Sequence, residues 1–586
     1  LAAAAARAVF APLSSRKSVS SAPAVRRPRR ECHRRRAAAA PPRAAAESST
    51  GMTALKGKWT KLYLYCTLFF FMSFVNAILD STKDTLVVTA LGGAEQIPYL
   101  TVYAVLPASL AFVAMFSAMS IHMSRSRLFY LVLSAFMSFF AVFTFVLYPN
   151  AEALQPTGLC NALMSALPAG ASGAVAVLRN WISTLFYVFA ELWGDVVLSL
   201  LFWGCANEHT RMEEAHVLYP LFGIGANIAQ ALAGRVLKLL PAVLPGLHAG
   251  GAAWTVQLQV LMCMVGVCCF VIAGMHFAID RVAQLRGWGG ASAAEEKAEA
   301  ERLKAAAEKA GREEGSGSGE GEETKRKVGL RESFALLGQS RSIQCLALMA
   351  IAQGLSSNVF QVAWKGQLRN LYPGPSEYSA FMGDVATISG VVTGLGMVAA
   401  PSLFARLGWS GVASCTPILM LGFGALFFAG AIYACAGGAA SGVAAPHLLV
   451  PLCVGGAALY IFEKAAKFSL FKPAEEIVYL SLDSNSRTKG KAAVDVLGAQ
   501  TGKSVGSLFQ QGLLVAFGNL SRALPALWAA HFGIVSLWIW AVDRLARHSG
   551  ELLRRPGTAQ DDPPASADLV CDLDNGNGHE PTPKPA

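Results

Sequence analysis

About twelve apolar runs, most of them close to twenty residues long, recur along the chain, and no other feature limits its fold so strongly. A helix needs about 20 predominantly apolar residues to cross a bilayer. Hydrocarbon offers no partner for backbone N–H and C=O groups, so each run must satisfy its own as a helix. Of the 586 residues, 54% are hydrophobic and 15% charged, against roughly 25% charged in a soluble domain. Disorder and a water-soluble globule are both excluded.

In the first half the spans fall near residues 62–79, 99–119, 129–147, 181–203, 217–239 and 256–278. In the second half they fall near 343–362, 378–399, 411–435, 448–461, 492–517 and 524–542. This pattern predicts an all-α polytopic membrane protein of about 12 transmembrane helices, arranged as a six-plus-six pseudo-repeat like that of major-facilitator transporters. The expected organisation is an arm at 1–56, a six-helix bundle at 57–280, a charged linker at 281–328, a second bundle at 329–546 and a polar tail at 547–586. The halves echo each other weakly. Gly225-Ala-Asn227 with Gly234 is answered by Gly498-Ala-Gln500 with Gly506, and the first helix of each half carries a lysine near its end, Lys83 and Lys365.

The net charge of +11 is no nucleic-acid signal, because eleven basic residues against two acids within residues 1–50 supply nine of it. That arm is rich in Ala, Ser, Pro and Arg, which is the composition of an organelle transit peptide, and a plastid address is the reading. A solvated basic tail is the alternative. Basic residues elsewhere concentrate on Arg125 and Arg127, the linker, and a connection carrying Lys464, Lys467, Lys472, Arg487, Lys489 and Lys491. By the positive-inside rule these mark one face, shared by both termini. The twelve cysteines show no C-x-x-C and no His partner at metal spacing, so neither metal nor cofactor is expected.

Charge inside an apolar span is the informative signal, since an ionised side chain at a helix centre costs about 2.5–3.5 kcal/mol. Glu191 and Asp195 stand at i and i+4 in an otherwise apolar helix and therefore share a face. They read as coupling or substrate carboxylates, or as a buried pair that fixes helix packing. Lys83, between Asp80 and Asp84, reads as a lysine snorkelling to the interface. Alternatively, because Leu86-Val-Val-Thr-Ala follows, it is a cation drawn inward. Lys365 with Trp364 suits an anion and a flat ring, or an interfacial anchor. Lys489 and Lys491 open a helix, where free N–H groups receive phosphate; a positive-inside flank has the same composition. Gly498-Ala-Gln-Thr-Gly502-Lys503-Ser504 imitates a P-loop but has three residues between its glycines instead of four. Without clustered His, Ser or Cys residues an enzyme is not expected.

Several long blocks resemble the ATP/ADP translocases of plastids and obligate intracellular bacteria. They are Asp80-Ser-Thr-Lys-Asp-Thr-Leu-Val-Val-Thr-Ala, Ala190-Glu-Leu-Trp-Gly, Leu200-Leu-Phe-Trp-Gly, Tyr219-Pro-Leu-Phe-Gly-Ile-Gly-Ala-Asn, Glu377-Tyr-Ser-Ala-Phe-Met-Gly-Asp384, Ala466-Lys-Phe-Ser-Leu-Phe and Lys489-Gly-Lys-Ala-Ala-Val-Asp495. They run in order across about residues 57–545.

The resemblance implies a twelve-helix transporter with ATP and ADP, or other nucleotides or phosphate, as partners in a lipid bilayer. It implies transport roles for Lys83, Glu191, Lys489 and Lys491; with the charges read above, the expected substrate site is Lys83, Glu191, Gln361, Lys365, Lys489 and Lys491, with Glu191 and Asp195 as coupling groups. Combined with the arm, it implies the plastid inner envelope. Two departures stand out: Gln361 where the family usually has glutamate, and Asp195 where it usually has a small residue. These departures bear on coupling and substrate; from the resemblance, exchange by rocking halves is the expectation, with Trp193 or Trp364 stacking the base. Proton-coupled import of a nucleotide or nucleoside, and a non-transporting receptor, are the alternatives.

Overall fold

The computed structural model describes residues 59–210, 212–243, 251–288, 341–437, 446–480 and 502–548, all within one compact unit, Ala54–Ala586. The basic arm, most of the linker, the polar tail and the segment with Lys489 and Lys491 lie outside these residues.

The apolar runs are helices, longer than their apolar centres. The first half comprises α1 (Trp59–Val88), α2 (Gly93–Ser120), α3 (Arg125–Leu147), α4 (Trp181–His209), α5 (Met212–Val243) and α6 (Gly251–Arg286). α7 (Arg341–Leu371) opens the second half. The 63-residue run Pro375–Gly437 breaks at Gly408, where φ is 67°, a conformation glycine adopts at no steric cost. It therefore supplies two helices, α8 (375–407) and α9 (409–437). α10 (Leu448–Tyr479), α11 (Gly502–Phe517) and α12 (Leu520–His548) complete the set. Nine described helical runs are long and apolar enough to cross a membrane. With the long run counted twice and α5 and α11 added, the described helices are consistent with twelve spans. Two shorter helices between α3 and α4, Thr157–Ala166 and Ser172–Arg179, carry no signal in the apolar pattern.

One core cluster lies wholly within the first half and packs aromatic rings densely: Phe136, Phe140, Phe143, Phe186 and Trp193 are all nearly or fully buried. A second cluster mixes the halves, joining Val87, Ile97 and Leu100 to Phe360, Trp364 and Leu524.

Of the small residues that echo between halves, Gly498-Ala-Gln500 lie outside the described residues, while Gly225, Gly234 and Gly506 are packing devices. A Cβ on Gly225 would lie 3.1 Å from the Cys66 carbonyl of α1, and one on Gly506 would lie 2.9 Å from Leu355 of α7. Thus α5 packs on α1 as α11 packs on α7. Each then crosses to the other half, α5 onto α8 and α11 onto the start of α2, so the two crossings are related by the same six-plus-six repeat.

The crossing of α5 over α8 is tight. A Cβ on Gly234 would fall 2.3 Å from the Gly383 carbonyl and 2.5 Å from the Thr387 backbone nitrogen, both backbone atoms. Gly234→Ala is expected to destabilise the protein by about 1–3 kcal/mol, the usual cost of overpacking. Thermal unfolding in detergent checks this, and an unchanged midpoint contradicts the close approach.

Candidate functional site

α1 does not end at the interface. It continues through Val88, so Lys83 lies within the helix and is 6% exposed. Its Nζ sits 2.5 Å from Asp80 Oδ1 and 2.7 Å from Glu191 Oε1, with the Tyr187 ring 5.3 Å away. Glu191 lies on α4 two residues before the helix changes from α-helical to π-helical winding, at Trp193–Phe202. Such π-helical winding occurs frequently at functional sites.

The second half meets this group directly. Lys365 on α7 pairs with Asp84 Oδ2 at 2.7 Å, both buried, and Lys464 stands 3.7 Å from Asp80 Oδ2. Lys503 stands 3.7 Å from Glu191 Oε2. Lys83 and Lys365, the matched lysines of α1 and α7, are therefore both held by carboxylates of α1, one from within its own half and one from across the interface.

These groups line a cavity of about 720 Å³ between the halves. Asp80, Lys83, Asp84, Glu191 and Asp195 come from the first half, and Gln361, Lys365, Glu463, Lys464, Lys467, Lys472 and Lys503 from the second. Asp195 accepts a hydrogen bond from Ser109 at 3.3 Å.

Five of the residues singled out in the sequence, Lys83, Glu191, Gln361, Lys365 and Asp195, are brought together here. Lys489 and Lys491 lie outside the described residues. Three expectations change. Lys464, Lys467 and Lys472 belong to the helical run of α10 and face the cavity, rather than a basic connection. Lys503, dismissed with the false P-loop, faces it too. The tryptophans do not: Trp193 and Trp364 are fully buried, their N–H groups donated to the carbonyls of Met72 (3.2 Å) and Cys453 (3.1 Å). The rings at the wall are Tyr187, Tyr460, Phe468 and Phe471, with Tyr460 stacked on Trp364 at 5.0 Å. Glu463 carried no sequence signal beyond being a carboxylate within an apolar helix.

At one end of the bundle the halves are sealed by polar contacts. Arg369 Nη2 donates to the Ala90 carbonyl at 2.9 Å, Gln511 Nε2 donates to the Pro98 carbonyl at 3.0 Å, and Glu95 Oε1 accepts the Leu520 N–H at 2.8 Å. Gly93, at φ 57°, leaves room for the arginine, since a Cβ there would meet Arg369 Nη1 at 2.2 Å. Lys238 of α5 pairs with Asp384 of α8.

Removing one member of a buried ion pair leaves an uncompensated charge, at a cost of about 3–5 kcal/mol. Lys365→Met is expected to destabilise by that amount, and Lys365→Met with Asp84→Asn to recover most of it. Unfolding midpoints of the two single variants and the double variant check the coupling; additive losses contradict the pairing.

Residues 55–548 match the family model of the TLC ATP/ADP transporter. The chain is 39% identical over 485 residues to ADP,ATP carrier protein 1 of Chlamydia muridarum, covering 82% of this chain and 86% of the relative. It is 36% identical over 482 residues to the chloroplastic ADP,ATP carrier protein 2 of Arabidopsis thaliana, covering 82% and 73%. To the plastidic ATP/ADP-transporter of Solanum tuberosum it is 34% identical over 517 residues, covering 87% and 77%. Among solved structures, a variant of the nucleoside transporter NupG is similar at a TM-score of 0.46 and 12% identity, covering 83% of this chain and 99% of that one, too distant to argue from. A match across nearly the whole membrane-embedded length, together with relatives that align over most of their own, means that the chain belongs to the TLC ATP/ADP transporter family.

Proposed function

We propose that this protein exchanges ATP for ADP across the plastid inner envelope by alternating access of its two halves to a central site. The observation that carries the reading is the inter-half cavity, in which lysines from both halves are held by carboxylates.

Lys83, Lys464, Lys467 and Lys503 supply positive charge to the phosphates. Lysine acts at phosphate as a point charge, so a polyphosphate displaces Glu191 and Asp80 from these cations rather than entering an apolar hole. When the nucleotide leaves, the carboxylates return and no lysine is stranded. This interchange suits an exchanger, since the cost of a bare cation opposes the return of an empty site. Tyr187 and Tyr460 offer flat faces to the base. The short polar seal at one end, Arg369 with Ala90, Gln511 with Pro98 and Glu95 with Leu520, consists of hydrogen bonds that can break and re-form as the halves rock.

If ATP⁴⁻ is exchanged for ADP³⁻, one net charge crosses per cycle, worth about 2.3 kcal/mol per 100 mV. The acid-poor arm supports a plastid address, as does similarity to plastid relatives. Fused to a fluorescent protein, residues 1–56 are expected to direct it into plastids, and a cytosolic signal overturns the address.

Reconstituted into proteoliposomes, the full chain is expected to take up labelled ATP only when ADP or ATP is inside, and a membrane potential is expected to change the rate. Lys83→Ala is expected to abolish uptake while the protein remains monodisperse. Uptake into liposomes without internal nucleotide overturns strict exchange, and normal uptake by Lys83→Ala overturns the phosphate assignment.

A further inference from the structure

The carboxylates of the cavity are not equivalent. Asp80, Asp84 and Glu191 each lie within ion-pair distance of a lysine. Glu463 on α10 lies within that distance of no cation among the described residues, although it is only 4% exposed. Its Oε1 accepts from Gln353 Nε2 at 3.2 Å and from Ser357 Oγ, both on α7. Its Oε2 has no hydrogen-bond partner. Gln361, one turn beyond Ser357 on α7, neighbours the same carboxyl. Two donors from α7 therefore fix the orientation of a buried carboxyl in the cavity wall, one oxygen of which is buried with no hydrogen-bond partner, and such an acceptor is an expensive feature unless a donor arrives.

The donor is not a phosphate, which has no proton to give at this charge and would be repelled. In a nucleotide the remaining donors are the sugar hydroxyls and the amino group of the base. Position decides between them. Lys467 lies four residues after Glu463, and side chains at that spacing are neighbours on a helix, about 5–6 Å apart at Cβ. A carboxylate beside a phosphate-binding lysine reads the sugar next to the first phosphate, not the far edge of the base. Carboxylates are established acceptors for ribose hydroxyls in other nucleotide sites.

We propose that Glu463 is the ribose-reading residue of this transporter, held by Gln353 and Ser357 to accept the 2′- or 3′-hydroxyl of a ribonucleotide. The inference rests on the nucleotide-exchange reading above and adds the sugar specificity.

The test is competition against labelled ATP uptake by the full chain in proteoliposomes preloaded with ADP, using ATP, 2′-deoxy-ATP, 3′-deoxy-ATP and inosine triphosphate. Wild type is expected to prefer ATP to at least one deoxy analogue by about 10- to 100-fold, the worth of a hydrogen bond to a charged acceptor. It is expected to accept inosine triphosphate, which lacks the amino group, nearly as well as ATP. Glu463→Gln should shrink the sugar preference to below about threefold, and Glu463→Asp, which keeps the charge but withdraws the oxygen, should give an intermediate value. Thermal stabilisation by ATP and by the deoxy analogues gives the same comparison as a binding ratio in any variant that folds but does not transport.

A wild type that takes up ATP but does not distinguish the deoxy analogues overturns the inference alone. So does Glu463→Gln with its preference intact, or a variant that loses discrimination only against inosine triphosphate. A wild type that neither moves nor binds any nucleotide overturns the exchange reading itself.

Discussion

Everything at the centre of this protein depends on how Lys83 keeps its charge inside a helix bundle. An ionised side chain at this depth costs about 2.5–3.5 kcal/mol on insertion scales. A close opposite charge returns about 4 kcal/mol at an effective dielectric of about 20. Each carboxylate carries a similar cost of its own, so the lysine is held by a narrow margin and needs more than one partner; Lys83 has Asp80 and Glu191. The balance is close enough that a ligand with several negative charges competes for the same cation. A lysine with no partner would be too costly to keep, and one locked among apolar groups would be useless for transport.

The pairing also connects the two halves. Lys365 on α7 answers Lys83 on α1, yet its partner Asp84 belongs to the opposite half. The crossings of α5 over α8 and of α11 over α2 repeat the same relation at the periphery. Small residues set the approach, as at Gly234, and polar contacts such as Arg369 with Ala90 close one end. The first half packs its aromatic rings into a core of its own, while Phe360, Trp364, Phe427 and Tyr460 pack in the cluster shared with the second half. The interface between the halves, by contrast, combines apolar packing, as of Val87 and Leu100 against Phe360, with the ion pairs and hydrogen bonds of the cavity and its seal.

Much of this was legible in the order of residues. Apolar runs of spanning length located the helices, and carboxylates four apart in one such run marked Glu191 and Asp195 as sharing a face. The apolar residues after Lys83 offered a continuation of α1 as one of two readings, and the structure decides for it. The failures have physical causes. Lys464, Lys467 and Lys472 sit where apolar density falls, so they resemble a basic flank until α10 is seen to carry them along the cavity wall. Lys503 was obscured by a motif whose spacing was wrong. Trp364 precedes a buried lysine and so resembles a ligand contact, whereas helix geometry turns neighbouring side chains about 100° apart and sends the indole to Cys453.

What the sequence by itself determined is the class of molecule, the family, and which helices carry charge into the membrane, because the cost of apolar surface in water and of charge in lipid acts on each segment separately. Only the tertiary structure decided which charges meet. Asp84 with Lys365, Glu191 with Lys503 and Glu463 with Gln353 and Ser357 join residues more than a hundred positions apart. No local period encodes such distances; they follow from how two bundles pack around a common hollow.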